Sequence, residues 1–426
     1  MAESLIRRMI APRTAKPTLS VIDKYCDFYR NLFSDVRSYE AFKGLHVGIL
    51  SDIKRKTLPA IAKINGLENA QGLHHFLTKS PWEMEGLRKK RLEILLQVLK
   101  GREIWVIVDE TGDPKKGNKT DYVSRQYLGR LGKIENGIVS VAIYGVIEGI
   151  TFPILFEIFK PRKRLKEKEK YKTKPEIAGE LIEKIVALGF RIKGVLSDSL
   201  YGESEENFLR KLEKLGLQYM VSIRSNHGVW LPHGARVRAN RWRKFERIMS
   251  DEKKEIRYVR EIIFGKRGRR TYWEITTDTE TLPDNSTSFV MSNIPDLKYN
   301  NIGNIYGERT WIEYGFRQCK SELGWADFRL THYPHIERWW EIICSAYLLI
   351  TLMTSPFSSS SSEPLTPSSE ILIQFCYQHP HWDKNNNWKS QLNNLHLLLL
   401  PWLCFNLILS WLEVFPIPQL SLGFPR

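Results

Sequence analysis

From residue 20 to residue 100 apolar positions recur every three or four residues, a spacing that predicts helices, with breaks expected at Gly44, across Gly66 to Gly72 and at Ser80-Pro81, Pro81 suiting a helix's first turn. Inside this stretch residues 58–77 divide into two short helical patterns around an Asn-Gly turn. They read as a helix-turn-helix or as two packed helices, and the scarcity of basic residues on the second favours packing. At residue 103 the pattern changes to short apolar runs: 103–109, 137–145 and 151–159 are predicted strands, the last two separated by Glu148-Gly149. A helix over 175–188, a buried-type strand over 192–198, a helix over 203–215 and a strand over 218–223 follow, and the order βββαβαβ predicts a mixed α/β core.

Residues 226–295 are rich in Arg, Trp and Thr, with strand-like runs at 258–264, 271–277 and 288–291, and read as a β-rich insertion. Helical spacing resumes near Ile305 and continues to about Met353, ahead of a Ser/Pro-rich stretch. The resulting division is a helical N-terminal domain (1–100), for which DNA binding stays open, a core in two parts (101–225 and 296–354) around the insertion (226–295), a linker (355–369) and a helical C-terminal tail (370–426).

Charge sharpens this picture. The 426 residues hold 64 Lys and Arg against 48 Asp and Glu, a formal net charge of +16, so a polyanionic partner is expected. Residues 160–174 carry nine basic residues against two Glu, and 236–270 carry fourteen against five acids, so these two segments account for the whole excess and suggest a surface that tracks phosphates. Five scattered cysteines without a Cys-x-x-Cys pair suggest neither disulfides nor zinc, and fit a reducing, cytosolic setting. The apolar stretch 395–412 contains His396, Pro401 and Asn406, which favours a buried helix pair over a membrane span. No membrane partner is expected.

Two acids end predicted strands, Asp109 in WVIVDETGD and Asp198 in GVLSDSLYG, where ligands bind at a sheet's carboxyl edge. Glu110 and Asp113 compete with Asp109 as the first carboxylate, though the strand-terminal position favours Asp109. The spacing predicts one helix over 305–323, on which Tyr306, Arg309, Glu313 and Lys320 fall within a stripe about 60° wide, beside an apolar flank of Ile305, Ile312, Phe316, Cys319 and Leu323. An i,i+4 ion pair on a wet face accounts for Arg309 and Glu313 but not for the adjoining Tyr306.

The spacing Tyr306-x2-Arg309-x3-Glu313-x6-Lys320, with Asp109 and Asp198 upstream, resembles the Y-R-E-K signature of bacterial DDE-type insertion-sequence transposases. The likeness runs from about residue 40 to the C-terminus and includes DETGDPKKG, RQYLGRLGKIENG, SDSLYG, HPHWDKNNNWKSQLNNL and VFPIP. It implies an RNase H-like core with a β-rich insertion before the Glu, for which the 115 positions between Asp198 and Glu313 leave room. It further implies that Asp109, Asp198 and Glu313 are catalytic and hold Mg²⁺ or Mn²⁺, two ions, for in-line displacement at phosphorus. Tyr306, Arg309 and Lys320 would then contact DNA phosphate.

The basic insertion adds Arg241, Arg243 and Lys244 as backbone contacts, and Trp230 or Trp242 as a surface for stacking a displaced base, unless these indoles pack the insertion's own sheet. The expected partners are double-stranded DNA, both terminal inverted repeats and target, and a second copy of the chain in a homodimeric synaptic complex. Its assembly surface is expected in the helical tail. Another RNase H-like nuclease and a decayed, DNA-binding relative are the competing readings.

Overall fold

The computed structural model describes residues 13–232, 234–248, 254–358 and 378–414. Its centre is strand β1 (Ile104–Pro114), which pairs antiparallel with β3 (Lys133–Ile147) and parallel with β5 (Ile192–Ser197); β5 in turn pairs parallel with β6 (Tyr219–Ile223). β3 pairs antiparallel with β4 (Ile150–Ile158) through a two-residue turn in which Glu148 and Gly149 both take positive φ (49° and 73°), the geometry that matches strand twist in a tight hairpin. The resulting order β4-β3-β1-β5-β6 is that of an RNase H-like core. A short strand unseen in the sequence, β2 (Ser124–Leu128), pairs with the first part of β3.

The crossover helix α6 (Lys174–Ala187) between β4 and β5 is started by a reciprocal capping box, Thr173 with Glu176, and by Pro175 in its first turn. The helix expected over 203–215 is broken into α7 (Ser199–Gly202), a π-turn (Glu205–Leu209) and α8 (Arg210–Lys214).

The β-rich region is not a separate unit. β11 (Ser288–Ser292) pairs antiparallel with β6, followed by β10 (Thr271–Thr276) and β9 (Lys254–Phe264), while β7 (Val237–Ala239) and β8 (Arg243–Ile248) both pair with β9. Core and insertion therefore share one eleven-stranded sheet.

The N-terminal helices are likewise fused to the core. α1 (Ser20–Asp27), α2 (Val36–Leu50), α3 (Leu58–Ile64), α4 (Gln71–Thr78) and α5 (Met84–Leu99) share one apolar cluster with the long helix α11 (Tyr333–Leu352) and the sheet. Buried polar ties cross this junction. The Tyr25 hydroxyl donates to the Ser345 carbonyl (2.7 Å), and Arg91, which also donates to the carbonyls of Pro153 and Ile154, pairs with a fully buried Glu341.

Gly44 does not end α2. A side chain there would press on Asn65 (3.3 Å), and one at Gly48 would overlap Ile61 (2.4 Å), so both glycines serve close packing of α2 on α3. Pro81 lies ahead of α5, not in its first turn. The expected linker begins with a helical turn, α12 (Ser355–Ser358), and its remainder lies outside the described residues.

The C-terminal stretch forms one helix, α13 (Trp388–Val414), that runs through Pro401, in place of the expected helix pair. Trp388, Leu392, Leu395 and Leu399 are buried, whereas Leu400, Leu407 and Ile408 are exposed. No described helix is long and apolar enough to cross a membrane.

Candidate active site

β5 stops at Ser197, which pairs with Val108, so the next residue on each strand, Asp198 and Asp109, lies at the point where the parallel ladder opens. β1 itself continues to Pro114 along β3, so Asp109 is not strand-terminal as the sequence suggested; it sits where its neighbour ends. Asp109 accepts the Glu110 amide through Oδ1 (2.7 Å), and Asp198 caps α7 by accepting the Leu200 amide (2.9 Å).

Burial pushes the Asp109 carboxyl up to about 8, the neighbouring Asp198 charge adds to the shift, and the Arg309 guanidinium opposes it. Asp198 is raised as well, by burial and by Glu110. The competing acids are otherwise engaged: Glu110 pairs with Lys174 (2.8 Å) and accepts the Tyr201 hydroxyl (3.1 Å), while Asp113 pairs with Lys320 (2.8 Å).

The Glu-bearing segment is not one regular helix. α9 (Tyr299–Glu308) ends at a bend over Arg309 and Thr310, α10 (Trp311–Arg317) follows, and a π-turn (Gln318–Glu322) closes it. Both helices are seated by glycines. A side chain at Gly303 would meet the Phe245 ring of β8 at 1.9 Å, and one at Gly315 would meet the Tyr144 ring of β3 at 2.4 Å.

Arg309 lies between the carboxylates, its Nη1 4.0 Å from Asp109 Oδ2 and its Nη2 3.9 Å from Glu313 Oε1, with Tyr306 beneath it at 5.9 Å. Its buried Nε has no hydrogen-bond partner among the described residues. Glu313 is 62% exposed. Tyr306, Arg309 and Glu313 thus form one cluster with the two aspartates.

Lys320 does not join that cluster. The extra residue of the π-turn takes it off the stripe and buries it against β1, its side chain 6% exposed, so its expected place on an open DNA-facing surface is not what the structure shows.

No three His, Cys, Asp or Glu side chains among the described residues already stand close enough to hold a metal. The fit to one is chemical: hard oxygen donors, a desolvated pair of aspartates and only a loosely held, incompletely bonded guanidinium as counter-charge. Glu313 stands on the far side of Arg309 from Asp109.

A cleft of about 790 Å³ opens beside Glu313, lined by Arg247, Thr310, Trp311, Tyr314 and Arg317 among others. Arg247 went unnoticed in the sequence, although a signal exists. Arg243, Phe245 and Arg247 alternate along β8 and meet Tyr299, Gly303 and Gly307 at every fourth position of α9: Arg243 lies over the Tyr299 ring (5.3 Å), and a side chain at Gly307 would come within 3.1 Å of Arg247 Nε. Lys244 is exposed on the opposite face of the strand, and Arg241 is exposed just before it, so the three expected cations do not share one surface.

Trp242 is covered by Arg260 (4.3 Å), which leaves Trp230, 91% exposed between β6 and β7, as the open indole. Of the nine basic residues in the segment 160–174, four are ion-paired within the fold. Lys160 pairs with Glu169, Lys166 with Asp121, Lys172 with Glu180 and Lys174 with Glu110, so it offers less free charge than its composition implied.

Comparison with known proteins gives three matches. A family model described as DDE superfamily endonuclease matches residues 29–256, and one described as transposase DDE domain matches residues 172–349. The chain is also 60% identical over 329 residues, 77% of its own length and 87% of the relative's, to a probable transposase for insertion sequence element IS701 from Microchaete diplosiphon.

Proposed function

Because the chain belongs to the DDE transposase family, we propose that it cuts DNA at the ends of its own insertion sequence and joins those ends to target DNA, with Asp109, Asp198 and Glu313 as the catalytic carboxylates. DDE-type nucleases generally use divalent metal ions, and the donor set here suits Mg²⁺ or Mn²⁺. Two such ions held by the three carboxylates would activate a water or a DNA 3′-hydroxyl and stabilise the leaving oxygen. The observation that carries this reading is the placement of Asp109 and Asp198 at the opening of the β1–β5 ladder, with Arg309 linking them to Glu313.

The chain's own groups then have separable tasks. Arg309, held at 3.9 to 4.0 Å from two carboxylates, turns to a phosphate flanking the scissile bond, where its fork makes a two-pronged contact, and the Tyr306 phenol donates beside it. Arg247 and Arg317 line the cleft through which the strand runs, with Arg241 and Arg243, which line a neighbouring groove, following the backbone further out. Trp230 offers a face for an unstacked base. Two protomers pair two ends, and the exposed Leu400, Leu407 and Ile408 of α13 supply contact area between them.

The test uses supercoiled DNA carrying the element's ends. Asp198→Asn keeps shape while removing a charged ligand, and cleavage in Mg²⁺ should fall by more than about a hundredfold. Cleavage by this variant at the wild-type rate would refute the carboxylate assignment.

A further inference from the structure

The family signature places Lys320 in a functional position, yet its surroundings are those of an interior strut. Its Nζ donates to the Gly112 carbonyl (2.7 Å) and to Asp113 Oδ1 (2.8 Å), and the partner carboxylate is only 3% exposed. Both acceptors belong to β1, three and four residues beyond Asp109. Lys320 itself lies seven residues beyond Glu313, in the π-turn that ends α10.

The same turn is tied at two further points, since the Tyr347 hydroxyl donates to Gln318 Oε1 and the Tyr144 hydroxyl shares a hydrogen bond with the Cys319 thiol (3.3 Å). Of these three ties only that of Lys320 runs to the strand that carries Asp109. We infer that Lys320 is a positioning residue, fastening the helix of Glu313 to the strand of Asp109 so that the third carboxylate stands in register with the other two, and that it is not a phosphate ligand. The inference rests on the carboxylate assignment proposed above.

The physical case is an exclusion joined to a fit. A lysine that reached DNA from this position would leave the buried Asp113 with only Lys115 nearby, a cation held over the Phe328 ring (3.6 Å) and not bonded to the carboxylate, an exchange that breaking a buried pair makes unfavourable. A lysine that stays put holds two segments together through a charge-assisted bond and a carbonyl bond, both shielded from water and therefore insensitive to salt. Asp113, four residues past Asp109 on β1 and, as an anion, unable to bind phosphate itself, must then matter as much as Lys320. A phosphate ligand would need no such partner.

The experiment compares full-length wild type with Lys320→Met, Asp113→Asn and the two combined. DNA affinity is measured across a salt series without divalent ions, cleavage is followed against Mn²⁺ concentration, and Mn²⁺ binding is read by EPR without DNA. Strut behaviour predicts DNA affinity within about twofold of wild type and an unchanged salt slope in both single variants. It also predicts a several-fold higher Mn²⁺ concentration at half-maximal cleavage, weaker Mn²⁺ binding, and a double variant no worse than either single one.

A fall of about 0.9 in the salt slope for Lys320→Met, with Asp113→Asn indistinguishable from wild type, would overturn the inference. Should Lys320→Met not fold, the pair Lys320→Met with Asp113→Leu, which leaves no lone buried charge, supplies the same comparison against the same outcomes. Absence of metal-dependent cleavage in the wild type would refute the proposed function, whereas a cleaving wild type matched by Lys320→Met in metal dependence refutes only the strut.

Discussion

Gly315→Ala adds one methyl group at the seat of the helix that carries Glu313. The new Cβ would lie 2.4 Å from Cε1 and 2.7 Å from Cδ1 of Tyr144, a buried ring on β3 that cannot swing away because its hydroxyl is bonded to Cys319 and its edge abuts Phe316. Carbon atoms in ordinary contact stand about 3.5 Å apart, so α10 must withdraw by about 1 Å. For stability the effects nearly offset: overpacking costs about 1–3 kcal/mol, and replacing a helical glycine by alanine returns about 1 kcal/mol. Catalysis has no such compensation. Glu313 sits two residues away on the same short helix, and a displacement of about 1 Å at a reacting group costs on the order of a hundredfold in rate.

The expected result is therefore a split, with single-turnover cleavage of end DNA down about a hundredfold while the melting temperature falls by only about 1 °C per kcal/mol lost. Trimming the ring, by Tyr144→Leu in the same chain, should recover part of the rate. Wild-type cleavage by Gly315→Ala would refute the argument that this contact sets the position of Glu313, as would a loss accounted for entirely by unfolding.

Two further outcomes follow from buried charge. Asp109 holds its proton up to about pH 8 in the folded, metal-free protein but only to about pH 4 when unfolded, so the folded state binds more protons between those values and stability is lost as pH rises through that window, by at most about 1.4 kcal/mol per pH unit. Asp109→Asn should flatten this dependence, and urea midpoints at pH 5.5 and 7.5 that shift equally in variant and wild type would contradict it. Glu341→Gln leaves Arg91, 1% exposed, and Arg88 beside a neutral amide in the interior, and should cost about 3–5 kcal/mol; a denaturant midpoint showing less than about 1 kcal/mol would show that the pairing is not what holds the N-terminal helices to α11.

The strands and helices of the core were legible because they follow periods that burial imposes. β3, β4, β5 and β6 lie within a few residues of their expected places, and the reversal at Glu148-Gly149 was announced by its turn residues. The two aspartates could be found for the same reason, each closing an apolar run.

The helical wheel across 305–323 succeeded where the helix is regular enough to bring Tyr306, Arg309 and Glu313 together, and failed at Lys320. A π-turn changes the angle per residue and leaves no mark in hydrophobic spacing. β2, β7 and β8 were missed because they are short or polar on exposed faces, and β8 becomes intelligible only against α9, as with Arg247 at Gly307. The division into domains was the least legible feature. Composition changes at residues 100 and 226, but the hydrogen bonds from β6 to β11 and the burial of Tyr25, Arg91 and Glu341 depend on contacts distant in the chain.

The pairing of β6 with β11 also sets an order of assembly during synthesis. The edge strand of the catalytic half is finished at residue 223, but its hydrogen-bonding partner begins only at residue 288, and α11, against which the first five helices bury, begins at residue 333. Between the completion of β6 and the synthesis of β11 a nascent chain thus carries Asp109 and Asp198 on a sheet with one open edge, and its apolar face stays uncovered until α11 has been made. It gains Glu313 only after that edge has been sealed. A premature stop before residue 288 should yield an aggregation-prone fragment, not a smaller nuclease, because both the strand that seals the edge and the helix that carries Glu313 would be missing.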